Sequence, residues 1–172
     1  MKKSDVDVPT LVKIFHKRTS SFRICDKSFN LLVSDISIIF CIQDSLEELV
    51  MPKSAPKPST EFVLRRFFSD ARLTVPIITS KLRQVATGTT PIDIEDFVRI
   101  ICLILFVTVL LPTTGQSIGW GYLQLVDNYT EMARYNWSAA IHKTLLDSLH
   151  KNSDTPHKVT GCVIALLVRI FR

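Results

Sequence analysis

A mostly α-helical domain, built around one central apolar helix and carrying a small β-hairpin near its start, is the fold this chain predicts. Three observations carry the prediction. The run from Ile100 to Leu111 is apolar at every position but Thr108 and is stopped by Pro112. Shorter segments on either side repeat their apolar residues at helical spacing. A stretch near the N-terminus alternates apolar and polar residues about Asp26-Lys27.

Residues 1–20 are polar, basic and without period, and read as a flexible basic arm; residues 21–172 read as the domain. Ser21 to Leu32, SFRICDKSFNLL, gives the hairpin. Ser34 looks like an N-cap, and Asp35 to Ile42 a short buried helix. MPKSAPKPST, residues 51–60, with three prolines, is the clearest loop. Helices are then expected over Glu61–Asp70, with Phe62, Phe67 and Phe68 available to a core, and over Pro76–Ala86, with Ile77, Ile78, Leu82 and Val85 on one face. The central helix opens at Thr90 as N-cap, with Pro91 at its first position and Asp93, Glu95 and Asp96 near its positive end. A helix apolar on nearly all sides needs surroundings, either lipid or other helices. A short helix over Ser117–Asp127, an amphipathic one over Asn136–His150 and an apolar one over Val159–Phe171 complete the chain.

With 172 residues, 47% hydrophobic and 22% charged, the chain has a globular rather than a disordered profile. The net charge is +5, but the basic residues are scattered and no block of five like charges exists, so ordinary solvated faces are the first reading. Cys25, Cys41, Cys102 and Cys162 form no C-x-x-C, and no secretory leader is evident, which points to a reducing, intracellular compartment. His16, His142, His150 and His157 are dispersed, and none shares a helix face with carboxylates at ligand spacing. No Gly-rich phosphate loop is present. Neither a metal, a cofactor nor a small-molecule ligand is expected, and no catalytic residue is assigned.

Two motifs invite stronger readings. Ile100 to Leu111 is twelve residues long where a membrane span needs about twenty, so the central helix reads as core. Leu111-Pro-Thr-Thr-Gly115 matches a cell-wall sorting pattern, yet the apolar run precedes it rather than following it. A helix stop followed by a glycine turn is sufficient.

Seven short pieces then occur in a familiar order: Asp35-Ile-Ser-Ile-Ile-Phe40, Glu95-Asp96-Phe97-Val98-Arg99, Leu111-Pro112-Thr113, Tyr122-Leu123, Tyr135-Asn136-Trp137-Ser138, Leu145 to Leu149, and Gly161-Cys162. In this order they resemble the plant mobile domain, also labelled aminotransferase-like, of plant transposable elements and genes domesticated from them. The resemblance implies a helical, non-enzymatic interaction domain of transposon origin, acting in the nucleus through a protein partner. It also implies a C-terminal truncation, since that domain normally continues past the Gly-Cys helix. The label does not imply pyridoxal phosphate chemistry, because no lysine here has the setting of a Schiff base. Two other classes stand as rivals. One is a small basic nucleic-acid-binding module using Lys13, Lys17, Arg18 and Arg23; the other is a membrane-associated helical protein.

Overall fold

The stretch expected to be a loose arm is folded from Val8 onward. The computed structural model describes residues 8–42, 47–50, 55–112 and 117–171. Expectations for the first seven residues, for 51–54 of the loop and for the turn at Gly115 lie outside the described residues. The α-helices are α1 Val8–Lys13, α2 Val33–Phe40, α3 Glu61–Phe67, α4 Val75–Val85, α5 Pro91–Leu105, α6 Gly121–Asp127, α7 Trp137–Asn152 and α8 Val163–Phe171. The strands are β1 Phe15–His16, β2 Ser21–Ile24 and β3 Lys27–Phe29. The protein is therefore mostly α with a small N-terminal antiparallel sheet. Its chain divides into two compact units, residues 8–42 with 136–171 and residues 47–135.

In the first unit the expected hairpin is present and gains a third strand, in the order β1-β2-β3. Its register sets Phe15 opposite Phe22 and Phe22 opposite Phe29. The three rings form a ladder, with centroids 5.1 and 5.3 Å apart. Such cross-strand aromatic pairs are the unit of sheet stabilisation. Leu11, Val12, Phe15 and Phe22 are buried, so this stretch cannot be a free arm. Only after pairing do residues seven apart share a face, which is why no period was visible beforehand. The turn falls at Cys25-Asp26, with Cys25 at φ 51°. The cap of α2 lies two residues before the expected one: Leu32 holds the N-cap position, and Asp35 inside the first turn accepts a hydrogen bond from the Leu32 amide at 2.9 Å. The helix caps itself from within, so Ser34 is not needed. Helix α2 packs on α7 and α8, and α1 packs on a 3-10 turn at Pro156–Lys158. Ile36, Ile141, Leu145, Leu149 and Leu166 fill this core.

In the second unit α5 packs against α4 and α6. Its start matches the sequence: Thr90 Oγ1 accepts from the Asp93 amide at 3.1 Å, and Asp93 reaches back to the Thr90 amide. Its end is less simple. The α-helix gives way at Phe106–Leu110 to a π-helical turn, in which the Leu111 amide donates to the Phe106 carbonyl at 2.7 Å. Thr108 returns its hydroxyl to the Ile104 carbonyl, a local bond that competes with regular helix. The expectation that α5 is surrounded needs correction. Ile100, Leu103, Phe106 and Val107 are buried, but Ile94, Val98 and Leu105 are exposed. Among the described residues no helix is long and apolar enough to cross a membrane.

Candidate functional site

Helix α3 places Arg65 and Arg66 side by side, and the first three turns of α5 place Asp93, Asp96 and Arg99 opposite them. Asp96 is wholly buried, and both its oxygens are filled. Oδ2 accepts from Arg65 Nε at 2.8 Å and Arg66 Nε at 2.7 Å. Oδ1 accepts from Arg65 Nη2 at 3.0 Å and Arg99 Nη1 at 3.2 Å. Arg66 also pairs with Asp93. A carboxylate offers about four lone-pair positions, and here all four are taken.

Burial pushes the Asp96 carboxyl up, but the hydrogen bonds and charges of Arg65 and Arg66 outweigh it and hold the group below the usual carboxylate value. The Thr90 hydroxyl and then the Arg66 guanidinium hold Asp93 low as well. Arg65 is raised chiefly by its bonds to Asp96. Gly88 is a requirement of the cluster, because a Cβ there would lie 2.4 Å from Asp93 Cγ.

Each of the three nitrogens of Arg99 is engaged, Nη1 by Asp96. Nε donates to the Asp127 carbonyl at 3.0 Å, Nη2 lies 3.2 Å from Glu95, and the guanidinium rests over the rings of Phe62 and Tyr129 at 5.5 and 5.2 Å. Lys57 is held in a comparable way at the end of α3. Its ammonium donates to the Phe67, Phe68 and Asp70 carbonyls and stands 4.9 Å over Trp120. Beside Trp120 opens a cavity of about 380 Å³ lined by Ala71, Arg72, Leu73, Ser117, Ile118 and Gly119. Its lining brings one cation and no acid, base or nucleophile pair.

The other residues singled out by sequence take separate places. In the second unit, Tyr122 donates its hydroxyl to the Leu111 carbonyl at 3.1 Å, and burial pushes its pKa up. Leu123 is buried, Phe97 and Pro112 are half-buried, and Tyr135 bridges to Glu47. In the first unit, Asp35 pairs with Arg169 at 3.1 Å. Asn136 caps α7 through its side-chain oxygen, which accepts from the Ala139 amide at 2.8 Å, and Trp137 follows it buried. Gly161 has φ 100°, and a Cβ there would meet Leu145 Cα at 2.9 Å. Cys162 is buried, and its thiol is pushed up in pKa by that burial. His142 and His150 tie α7 to the N-terminal segment. His142 Nε2 donates to the Leu31 carbonyl at 2.7 Å, and His150 is hydrogen-bonded to Ser20 at 2.9 Å.

The structure thus gathers Glu95, Asp96 and Arg99 and adds two residues that sequence reading missed, Arg65 and Arg66. The available signal was an unbalanced acidic first turn on α5 paired with an Arg-Arg step on a neighbouring helix. Among the described residues no group of three or more His, Cys, Asp or Glu is placed to hold a metal ion.

What the fold and the cluster define is a helical domain fastened by a buried carboxylate with three arginines. The family is shown by comparison: the family model described as "Domain of unknown function (DUF8566)" matches residues 8–167, and the chain belongs to that family. This overturns the resemblance to the plant mobile domain, for which no family model matches. The pieces that suggested it are caps, helix stops and a tight glycine contact, features that unrelated helical domains share. No curated protein and no solved structure matches the chain.

Proposed function

We propose that the chain is a non-enzymatic interaction domain that receives an amphipathic helix of a protein partner along the outer side of α5. One observation carries this reading. Ile94, Val98 and Leu105 are 59, 42 and 47% exposed, with Ile101 half-buried between them. Their spacing, i, i+4, i+7 and i+11, is a single stripe about 16 Å long. It lies opposite the buried line of Asp96, Ile100, Leu103 and Val107. A helix apolar on two opposite sides has one side too many for its own core.

Glu95, 49% exposed, borders the stripe, so the matching helix carries apolar anchors at i, i+3, i+4 and i+7 with a basic flank. The polar groups beneath the stripe support binding rather than chemistry. With four hydrogen bonds already accepted, Asp96 has no lone pair left to act as a base.

The test is a surface double variant, Ile94→Lys with Val98→Glu, compared with the parent by crosslinking and mass spectrometry in cell extract. The expected result is an unchanged circular-dichroism melt and loss of a reproducible crosslink from α5 to a basic amphipathic helix. The same crosslinks in both proteins would overturn the proposal. So would a concentration-dependent dimer, seen by sedimentation in the parent alone, because it would assign the stripe to a second copy.

A further inference from the structure

The scattered basic residues are not scattered in the folded chain. The described part of the first unit carries nine Lys and Arg against four Asp and Glu, a net +5, while that of the second carries eight against nine, a net −1. Within the first unit three separate stretches meet at one end. Lys17 Nζ lies 2.8 Å from Asp154 Oδ2, Ser20 is bonded to His150, the Phe15 ring meets that of His150 edge-on at 5.2 Å, and α1 packs on the 3-10 turn at Pro156–Lys158. This brings together Lys13, Lys17 and Arg18 from the start of the chain with Lys151 and Lys158 from its last third. All five are exposed. Only Lys17 meets a carboxylate among the described residues, and that partner, Asp154, is itself 86% exposed.

We infer that this end of the first unit binds the phosphate backbone of a nucleic acid. Ammonium groups with an Arg fork suit phosphate oxygens, and the half-buried Thr155 adds a hydroxyl within the same surface. The large exposed apolar residues of the unit, Ile24, Leu32, Ile38, Ile164 and Val168, belong to β2, α2 and α8 or the residue before α2. None lies on the cationic stretches, so the surface lacks the apolar wedges a lipid bilayer would take and the buried anchors a protein partner would need. The Phe15 ring at this end is buried and meets His150 edge-on, so it offers no free face for a base, and contact is with the backbone and without base preference.

The test uses the full chain and a fluorescein-labelled DNA duplex of about 20 base pairs, with anisotropy read over a salt series. Five neutralised phosphates predict that log K falls with log salt at a slope of about −4 to −5. The variant Lys17→Gln, Arg18→Gln, Lys158→Gln is expected to reduce the slope by about 3 and to weaken binding more than tenfold at low salt. A control in the second unit, Arg72→Gln with Arg83→Gln, is expected to bind like the parent. Absence of duplex binding at low salt overturns the inference. Equal loss in both variants, or binding only to phosphatidylserine vesicles, overturns it too.

Discussion

The two units use the same charged residues to opposite ends. In residues 47–135 six of the eight described cations end on an oxygen: Arg65, Arg66 and Arg99 on Asp96, Lys57 on three carbonyls, Lys81 beside Asp70 at 3.3 Å, Arg134 on Glu47 and Glu131. In residues 8–42 and 136–171 cations gather at the surface beside few acids. An arginine is an internal fastener where a carboxylate is buried within reach, and an outward-facing contact where none is. Removing charge should therefore be costly in one unit and nearly free in the other.

The largest effect is expected at the hub. Asp96→Ala leaves three guanidiniums without their shared acceptor, and breaking a buried pair costs about 3–5 kcal/mol. Urea unfolding followed by circular dichroism measures it; a loss under 1 kcal/mol would mean that the network adds little. The same residue gives the unit an acid limit. Its folded pKa lies below the unfolded value of about 3.9, so its contribution is complete above that pH. The contribution is lost as pH falls through the lower folded value. Melts between pH 5 and 2 should show the parent losing stability over this window and Asp96→Asn losing less.

Next in size is Gly161→Ala, which forces a side chain into positive φ and against the Leu145 backbone, at about 3 kcal/mol. A melting midpoint equal to the parent's would refute the tight contact. Smallest is Lys17→Gln with Arg18→Gln, expected to leave the thermal midpoint unchanged, since exposed pairs are screened. A clear drop in the midpoint would erase the distinction between the units.

The parts of the fold readable in advance are those decided by neighbours in sequence. Thr90, Pro91 and Asp93 announced the start of α5, and Asn136 that of α7, because capping joins residues three apart. The hairpin was visible in its alternation. What escaped was decided at long range. Arg65 and Asp96 lie 31 positions apart, and neither is unusual until α3 lies beside α5. The first strand is two residues long, and only Phe22 across from Phe15 makes it a strand. The cationic end needs residues 13–18 and 151–158 in one place, which no local count of charges reveals.

The first unit is discontinuous, and this has a consequence in time. During synthesis the β-sheet and α2 are complete when residues 41–136, nearly a hundred, still separate them from α7. At roughly 5–20 residues per second, that is a wait of about 5–20 s. Throughout that interval Phe22 and Ile36 lack the α7 side chains that later share their core, while residues 47–135 can close on themselves as soon as α6 is made. The nascent chain thus holds an unfinished apolar surface while residues 47–135 are being made, and this is the interval in which a chaperone has something to bind.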